Sequence, residues 1–169
     1  MAARAGGRSR RLWQDDRMAL DDLKVILVPT DFSPASAMAV KAAIRLAQLF
    51  RASIELFHVN VDPSVVLPPP ADLFSFPGVF ERVLADTAEK IERVAGEIRD
   101  AGVTCTSASD VGRSYATIVE QARRSGAGLI VMGSHGRHGL SHALLGSVAE
   151  KVVQHAPCPV LIVPVSPPA

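Results

Sequence analysis

Val25-Ile26-Leu27-Val28-Pro29-Thr30-Asp31-Phe32-Ser33-Pro34 reads as a strand, a turn and the first residues of a helix. The run Val25–Val28 is short, apolar and largely β-branched, as strands buried on both faces are. Ser33 offers a capping hydroxyl, and Pro34 follows with its φ already at a helical value. Ala39, Ala42, Ala43, Leu46 and Phe50 then recur at helical spacing. A buried strand feeding directly into a helix is half of a parallel crossover unit, so the rest of the chain is read for the same alternation.

The alternation continues to the end. Ile54–Val59 predicts a second strand, and Val79, Val83, Leu84, Ala88, Ile91, Ala95 and Ile98 predict a long amphipathic helix closed by Gly102. Between them, residues 60–77 carry Pro63, Pro68, Pro69, Pro70 and Pro77 and read as an irregular loop. Val103–Asp110 predicts a third strand, more polar and nearer a sheet edge. Tyr115, Ile118, Val119 and Ala122 mark a third helix. Gly126 and Gly128 turn the chain into a fourth buried strand, Leu129-Ile130-Val131-Met132. A last helix covers about Val148–His155. Pro157 and Pro159 end it before a fifth strand, Val160-Leu161-Ile162-Val163. The expectation is an α/β domain with a mainly parallel sheet, joined by right-handed crossovers and covered by helices on both faces.

Composition sets the outer bounds. The chain has 169 residues, with 18 basic and 17 acidic groups and a net charge of +1. A hydrophobic share of 48% with 21% charged residues is that of a folded domain. Near-neutral charge speaks against a general nucleic-acid binder. No run approaches the roughly 18 apolar residues needed to cross a bilayer, so no membrane span is expected. Cys105 and Cys158 form no CxxC pair, which suits a reducing compartment and two small buried side chains. Residues 1–22 differ from the rest. Arg4, Arg8, Arg10 and Arg11 are followed by Asp15, Asp16, Asp21 and Asp22, with no apolar stretch between. A solvated tail is expected there, rather than a secretory signal. The folded domain is placed at 23–165.

In an open parallel sheet, ligands bind beyond the carboxyl ends of the strands, where strand order reverses. The positions to inspect are Pro29-Thr30-Asp31, Asn60, Val111-Gly112 and the stretch after the fourth strand. That stretch is the informative one. From Gly133 to Gly146 there are 14 positions, where a strand-to-helix loop usually takes about 2–6. Gly133, Gly136 and Gly139 permit positive φ and close backbone approach to a ligand. Ser147-Val148-Ala149-Glu150 fits a capping box at the start of the last helix. Free amides at such a helix start favour a phosphate. A continuous helix from Leu140 to His155 fits the apolar spacing as well, with Gly146 inside it at a cost of about 1 kcal/mol. The stretch lacks the lysine of a Walker A loop and the G-x-G-x-x-G spacing of the dinucleotide fingerprint. His135, His138 and His142 crowd it, but no cysteine or acid is present there to complete a metal shell.

Gly133-x-x-Gly136, nine residues, then Gly146-Ser147 resembles the G-2x-G-9x-G-[S/T] nucleotide motif of the universal stress protein family. Ile26–Ser33, Val131–Gly136 and Ala156–Val160 resemble other blocks of that family, and the likeness runs from about Lys24 to Pro164. The resemblance implies a Rossmann-like, doubly wound, five-stranded parallel sheet of order 3-2-1-4-5. It also implies ATP as ligand, alone or with Mg²⁺. By position, Asp31 and the backbone around Val59 would face the adenine end, with Pro29 and Thr30 beside them. Met132 and Gly133 would lie near the ribose, and Gly136, Arg137, Gly146, Ser147 and Val148 would surround the phosphates. Ser33 supplies the cap of the first helix, which leaves Asp31 available for a ligand. Members of this family dimerise through the last strand, so a homodimer through Val160–Val163 is implied.

Asp31 is the one obvious carboxylate at the strand ends, and no Ser-His-Asp logic is present. The expectation is a cytoplasmic, homodimeric stress-response or signalling protein that binds ATP with little or no turnover and acts on another protein. No catalytic residue, metal site or nucleic-acid partner is expected. A nucleotide-independent dimeric interaction module and a small enzyme acting on a phosphorylated metabolite remain open.

Overall fold

The computed structural model describes residues 23–61, 78–134 and 145–164. Five strands and four helices alternate along it. They are β1 (Val25–Pro29), α1 (Pro34–Phe50), β2 (Ser53–Val61), α2 (Val79–Asp100) and β3 (Cys105–Gly112). They continue as α3 (Ser114–Arg124), β4 (Leu129–Gly133), α4 (Ser147–His155) and β5 (Val160–Val163). The strands form one parallel sheet in the order β3-β2-β1-β4-β5, as expected.

The helices divide between the two faces. Ala39, Ala43 and Ala47 of α1 and Ile91, Ala95 and Ile98 of α2 bury against Ile26, Val28, Ile54, Leu56 and Val131. Ile118 and Ala122 of α3 and Ala149 and Val152 of α4 bury against Leu27, Phe57, Ile130 and Met132. Each central strand thus feeds alternate side chains to opposite layers, which is why β1 and β4 read as unbroken apolar runs. The small residues on the inner face of α1 let its backbone come close to the sheet.

Several boundaries differ from the sequence reading. β2 runs on to Val61, so Asn60 lies inside a strand and not in the loop after it. β3 begins at Cys105 and ends at Gly112, two residues later at each end than expected. Val103 is buried but sits ahead of the ladder. The continuous helix from Leu140 is excluded. Gly146 is extended at φ −63° and ψ 146°, and α4 starts at Ser147. Cys105 and Cys158 are free thiols, and burial pushes both above their ordinary range. They behave as packing residues. The proposed tail 1–22 lies outside the described residues.

Two loop features set the mouth of the sheet. Pairing between β1 and β4 ends at Leu27 with Ile130, although β1 continues to Pro29 and β4 to Gly133. The order of strands reverses here, since β1 leads to β2 on one side and β4 leads to β5 on the other. The second feature is a close approach. A Cβ built on Gly133 would meet the carbonyl carbon of Ala35 at 2.8 Å and its Cβ at 2.9 Å. The first turn of α1 therefore lies directly against the end of β4.

We expect Gly133→Ala to destabilise the fold by about 1–3 kcal/mol, because backbone must move to admit the methyl group. Gly96→Ala in α2 should stabilise it by about 0.5–1 kcal/mol, because nothing lies within 4 Å of the new Cβ. Urea denaturation of both variants checks the opposite signs.

Candidate functional site at the carboxyl ends of the strands

The turn after β1 is built almost wholly from hydrogen bonds of its own residues. Ser33 caps α1 by accepting the Ser36 N–H at 3.3 Å, as the Ser-Pro pair predicts. The Ser33 N–H donates to Asp31 Oδ1 at 3.1 Å, and the Phe32 N–H donates to Thr30 Oγ1 at 3.1 Å. The Thr30 hydroxyl donates in turn to Ser36 Oγ at 3.1 Å. Phe32 takes φ 62°, in the left-handed region. That conformation costs an ordinary side chain about 1–2 kcal/mol, so the contacts around it must hold it in place.

Asp31 is half-buried, and burial by itself raises its carboxyl pKa. Hydrogen bonds from the Ser33 hydroxyl, the Ser33 amide and the Ser36 hydroxyl outweigh that effect and hold it below the ordinary value of 3.8. Asp31 is therefore an anion throughout the neutral range. The sequence reading left it available for a ligand because Ser33 already caps the helix. One of its oxygens is instead engaged in the turn.

At the end of β4 the Ser134 N–H donates to the Val163 carbonyl at 3.0 Å, and the Gly146 N–H donates to the Ser134 carbonyl at 2.8 Å. The residue after Gly133 and the residue before Ser147 are thus hydrogen-bonded to each other across the intervening segment. Gly146 and not Ser147 is the N-cap of α4, and among the described residues no side chain caps this helix. The expected capping box does not form. Ser147 is the first helical residue and is exposed, and Glu150 donates its amide to the Gly146 carbonyl in the ordinary helical way. Among the described residues no side chain caps the α4 start, which carries an exposed hydroxyl, a chemistry suited to an anion.

The predicted positions fall into three groups. Pro29, Thr30 and Asp31 lie at the end of β1, and Met132 and Gly133 at the end of β4, across the divergence of those strands. Gly146, Ser147 and Val148 reach the same end of the sheet through the Ser134–Gly146 bond. Val59 pairs with Asp110 of β3 but lies beyond the end of β1 pairing, which stops at Phe57. Its edge toward β1 therefore borders the same opening. Met132 is buried and packs among α3 and α4 residues. Gly133 does not use positive φ, and its missing side chain makes room for α1. Gly136, Arg137 and the three loop histidines lie outside the described residues. Among the described residues no group of three or more His, Cys, Asp or Glu could hold a metal ion. No described helix is long and apolar enough to cross a membrane.

Sequence reasoning missed a polar row on the other face. His58 and Asn60 are buried on β2, pointing toward the α1 and α2 layer with Leu56. The Thr87 hydroxyl of α2 donates to Asn60 Oδ1 at 3.0 Å, while Asn60 Nδ2 has no partner among the described residues. His58 Nδ1 lies 2.7 Å from the Thr30 carbonyl oxygen, and its ring stacks on Phe32 at 4.8 Å. The available signal was the alternation Leu56-His58-Asn60, which puts two polar residues on a face the first half of the strand marks as core.

Asp31→Asn keeps the acceptor for Ser33 but removes the charge. Because the folded pKa is depressed, the stability that the charge contributes is present above pH 3.8. It is lost as pH falls through the lower folded value. We expect a loss of about 1 kcal/mol or less at pH 7, limited by solvent screening of a half-exposed group. The variant and the parent should converge in urea titrations below the folded pKa.

Comparison with known proteins matches residues 23–164 to the universal stress protein family model. The universal stress protein MJ0531 of Methanocaldococcus jannaschii is 38% identical over 141 residues, covering 83% of this chain and 81% of that one. Among solved structures, that of MJ0577 superposes with a TM-score of 0.74 at 31% identity, covering 86% of this chain and 99% of that one. A universal stress protein in complex with cAMP superposes with a TM-score of 0.63 at 26% identity, covering 85% and 98%.

Proposed function

The chain belongs to the universal stress protein family, and on that premise we propose that it binds an adenine nucleotide, ATP above all, at the carboxyl ends of β1 and β4. The observation that carries this reading is the Ser134–Gly146 bond, which joins the two ends of the glycine motif beside a helix start whose N-cap is a glycine. Main-chain amides and the Ser147 hydroxyl would meet the phosphates, with Gly136 and Arg137 contributed by the segment between. Met132 and Gly133 would lie at the ribose. Asp31, with Pro29, Thr30 and the Val59 backbone, would lie at the adenine end. The cAMP complex of a relative supports an adenine nucleotide as the class of ligand. Mg²⁺ would arrive with the phosphates, since it is commonly held by one or two carboxylates together with phosphate oxygens.

The chain's own residues suit binding better than turnover. Asp31 is tied into its turn, and Glu150 lies in the first turn of α4 with its side-chain Oε1 3.5 Å from Gln154 Nε2. We read the nucleotide as a structural signal that stabilises the fold by mass action in a cytoplasmic stress-response protein. The domain 23–165 is the unit that carries it. The partner is a second copy of the chain, joined along β5. That strand is the edge of the sheet among the described residues, and Leu161 on it is 40% exposed.

Two experiments test the reading. Calorimetric titration of ATP should give binding that Gly146→Val abolishes in a protein that still folds, since valine adopts φ −63° and ψ 146° without strain and loses at most about 1 kcal/mol at the helix N-cap. Absence of binding in the parent protein favours the nucleotide-independent interaction module, and hydrolysis at about 1 per second or faster favours an enzyme. Light scattering should give a dimer mass that Leu161→Arg reduces to the monomer, and a monomeric parent refutes pairing through β5.

A further inference from the structure

We propose that His58 is the positioning residue of the adenine end: it locks the Thr30–Ser33 turn in its strained form and so fixes where the Asp31 carboxylate stands. The proposal rests on the nucleotide reading for its consequence but not for its geometry.

A carbonyl oxygen can only accept, so the 2.7 Å contact requires His58 Nδ1 to carry the proton and donate it to Thr30. The Thr30 carbonyl lies just past the last residue of β1. A buried carbonyl at that point needs a partner from somewhere, and the imidazole supplies one. The same ring lies under Phe32, with centroids 4.8 Å apart and planes 26° from parallel. His58 therefore grips the turn on both sides of Asp31, through the carbonyl of the preceding residue and the ring of the following one. Between those grips Phe32 holds φ 62°. The Phe32 and Ser33 amides, which donate to Thr30 Oγ1 and Asp31 Oδ1, report whether the turn is closed. Thr30 and His58 are both buried, so water does not compete for the contact. The β2 strand that carries His58 also carries Val59, which borders the opening. The residue that sets the Asp31 turn thus adjoins the other proposed adenine neighbour in sequence.

The test uses the full chain with three substitutions. His58→Phe keeps an aromatic ring for Phe32 and removes the N–H donor. His58→Asn places an amide nitrogen near the position of Nδ1 and removes the ring. Phe32→Leu removes the stack and keeps the Thr30 contact. Amide hydrogen exchange should quicken at least tenfold at Phe32 and Ser33 in His58→Phe, with β4 and β5 amides unchanged. ATP affinity should fall about tenfold. His58→Asn should recover affinity to within about threefold of the parent. Unchanged exchange at Phe32 and Ser33 in His58→Phe overturns the proposal, and so does uniform quickening across the whole sheet, which marks a merely structural residue. Should His58→Phe not fold, Phe32→Leu decides, with a threefold or greater rise in Ser33 exchange expected and no rise overturning the proposal. If the parent binds no ATP, the nucleotide reading falls, while the exchange measurements still decide whether His58 sets the turn.

Discussion

Ala35 and Gly133 leave no room for a methyl group between them. That contact is the constraint from which the mouth of this sheet follows. It presses the first turn of α1 onto the last residue of β4, so the turn after β1 and the segment after β4 are held at one place. Both strands end there, and their pairing has already lapsed at Leu27 and Ile130. Parallel α/β sheets concentrate their chemistry where neighbouring strands send their connections to opposite sides. Here a single missing side chain sets how closely the two sides of that opening approach.

Around this point the fold divides its labour between faces. The α3 and α4 face carries Met132 and leads to the α4 start, whose N-cap is a glycine. The α1 and α2 face carries a buried polar row, Thr30, Ser33, Ser36, His58, Asn60 and Thr87, most of it joined by hydrogen bonds. Buried polar groups of this kind are costly unless paired, and paired they specify one geometry in a way apolar packing does not. The strained Phe32 lies within the row, where several contacts oppose its relaxation.

Much of this was legible from residue order. The apolar runs Val25–Val28 and Leu129–Met132 identified central strands because both of their faces are covered. Ser33-Pro34 identified a helix start because cap chemistry is local. The ends of β2 and β3 were not legible. Asn60 and Val111 are polar or exposed residues that continue a ladder through main-chain bonds, and periodicity does not register those. Ser147 fitted a capping box by spacing, yet the cap fell one residue earlier, because the Gly146 amide is drawn to the Ser134 carbonyl. Gly133 is read from sequence as a glycine that permits close backbone approach to a ligand, and its packing against Ala35, 98 positions away in the chain, has no local signal. Long-range contacts of that kind, and the carbonyl reached by His58, exist only once the sheet is assembled.

The bond from Gly146 to Ser134 also separates two design problems. Whatever lies between those residues starts and finishes at points already pinned to β5 and α4. Closing such a loop costs only about 0.6 kcal/mol more for each doubling of its length. The length of chain joining those two points therefore carries little entropic cost, and specificity and foldability become separate variables.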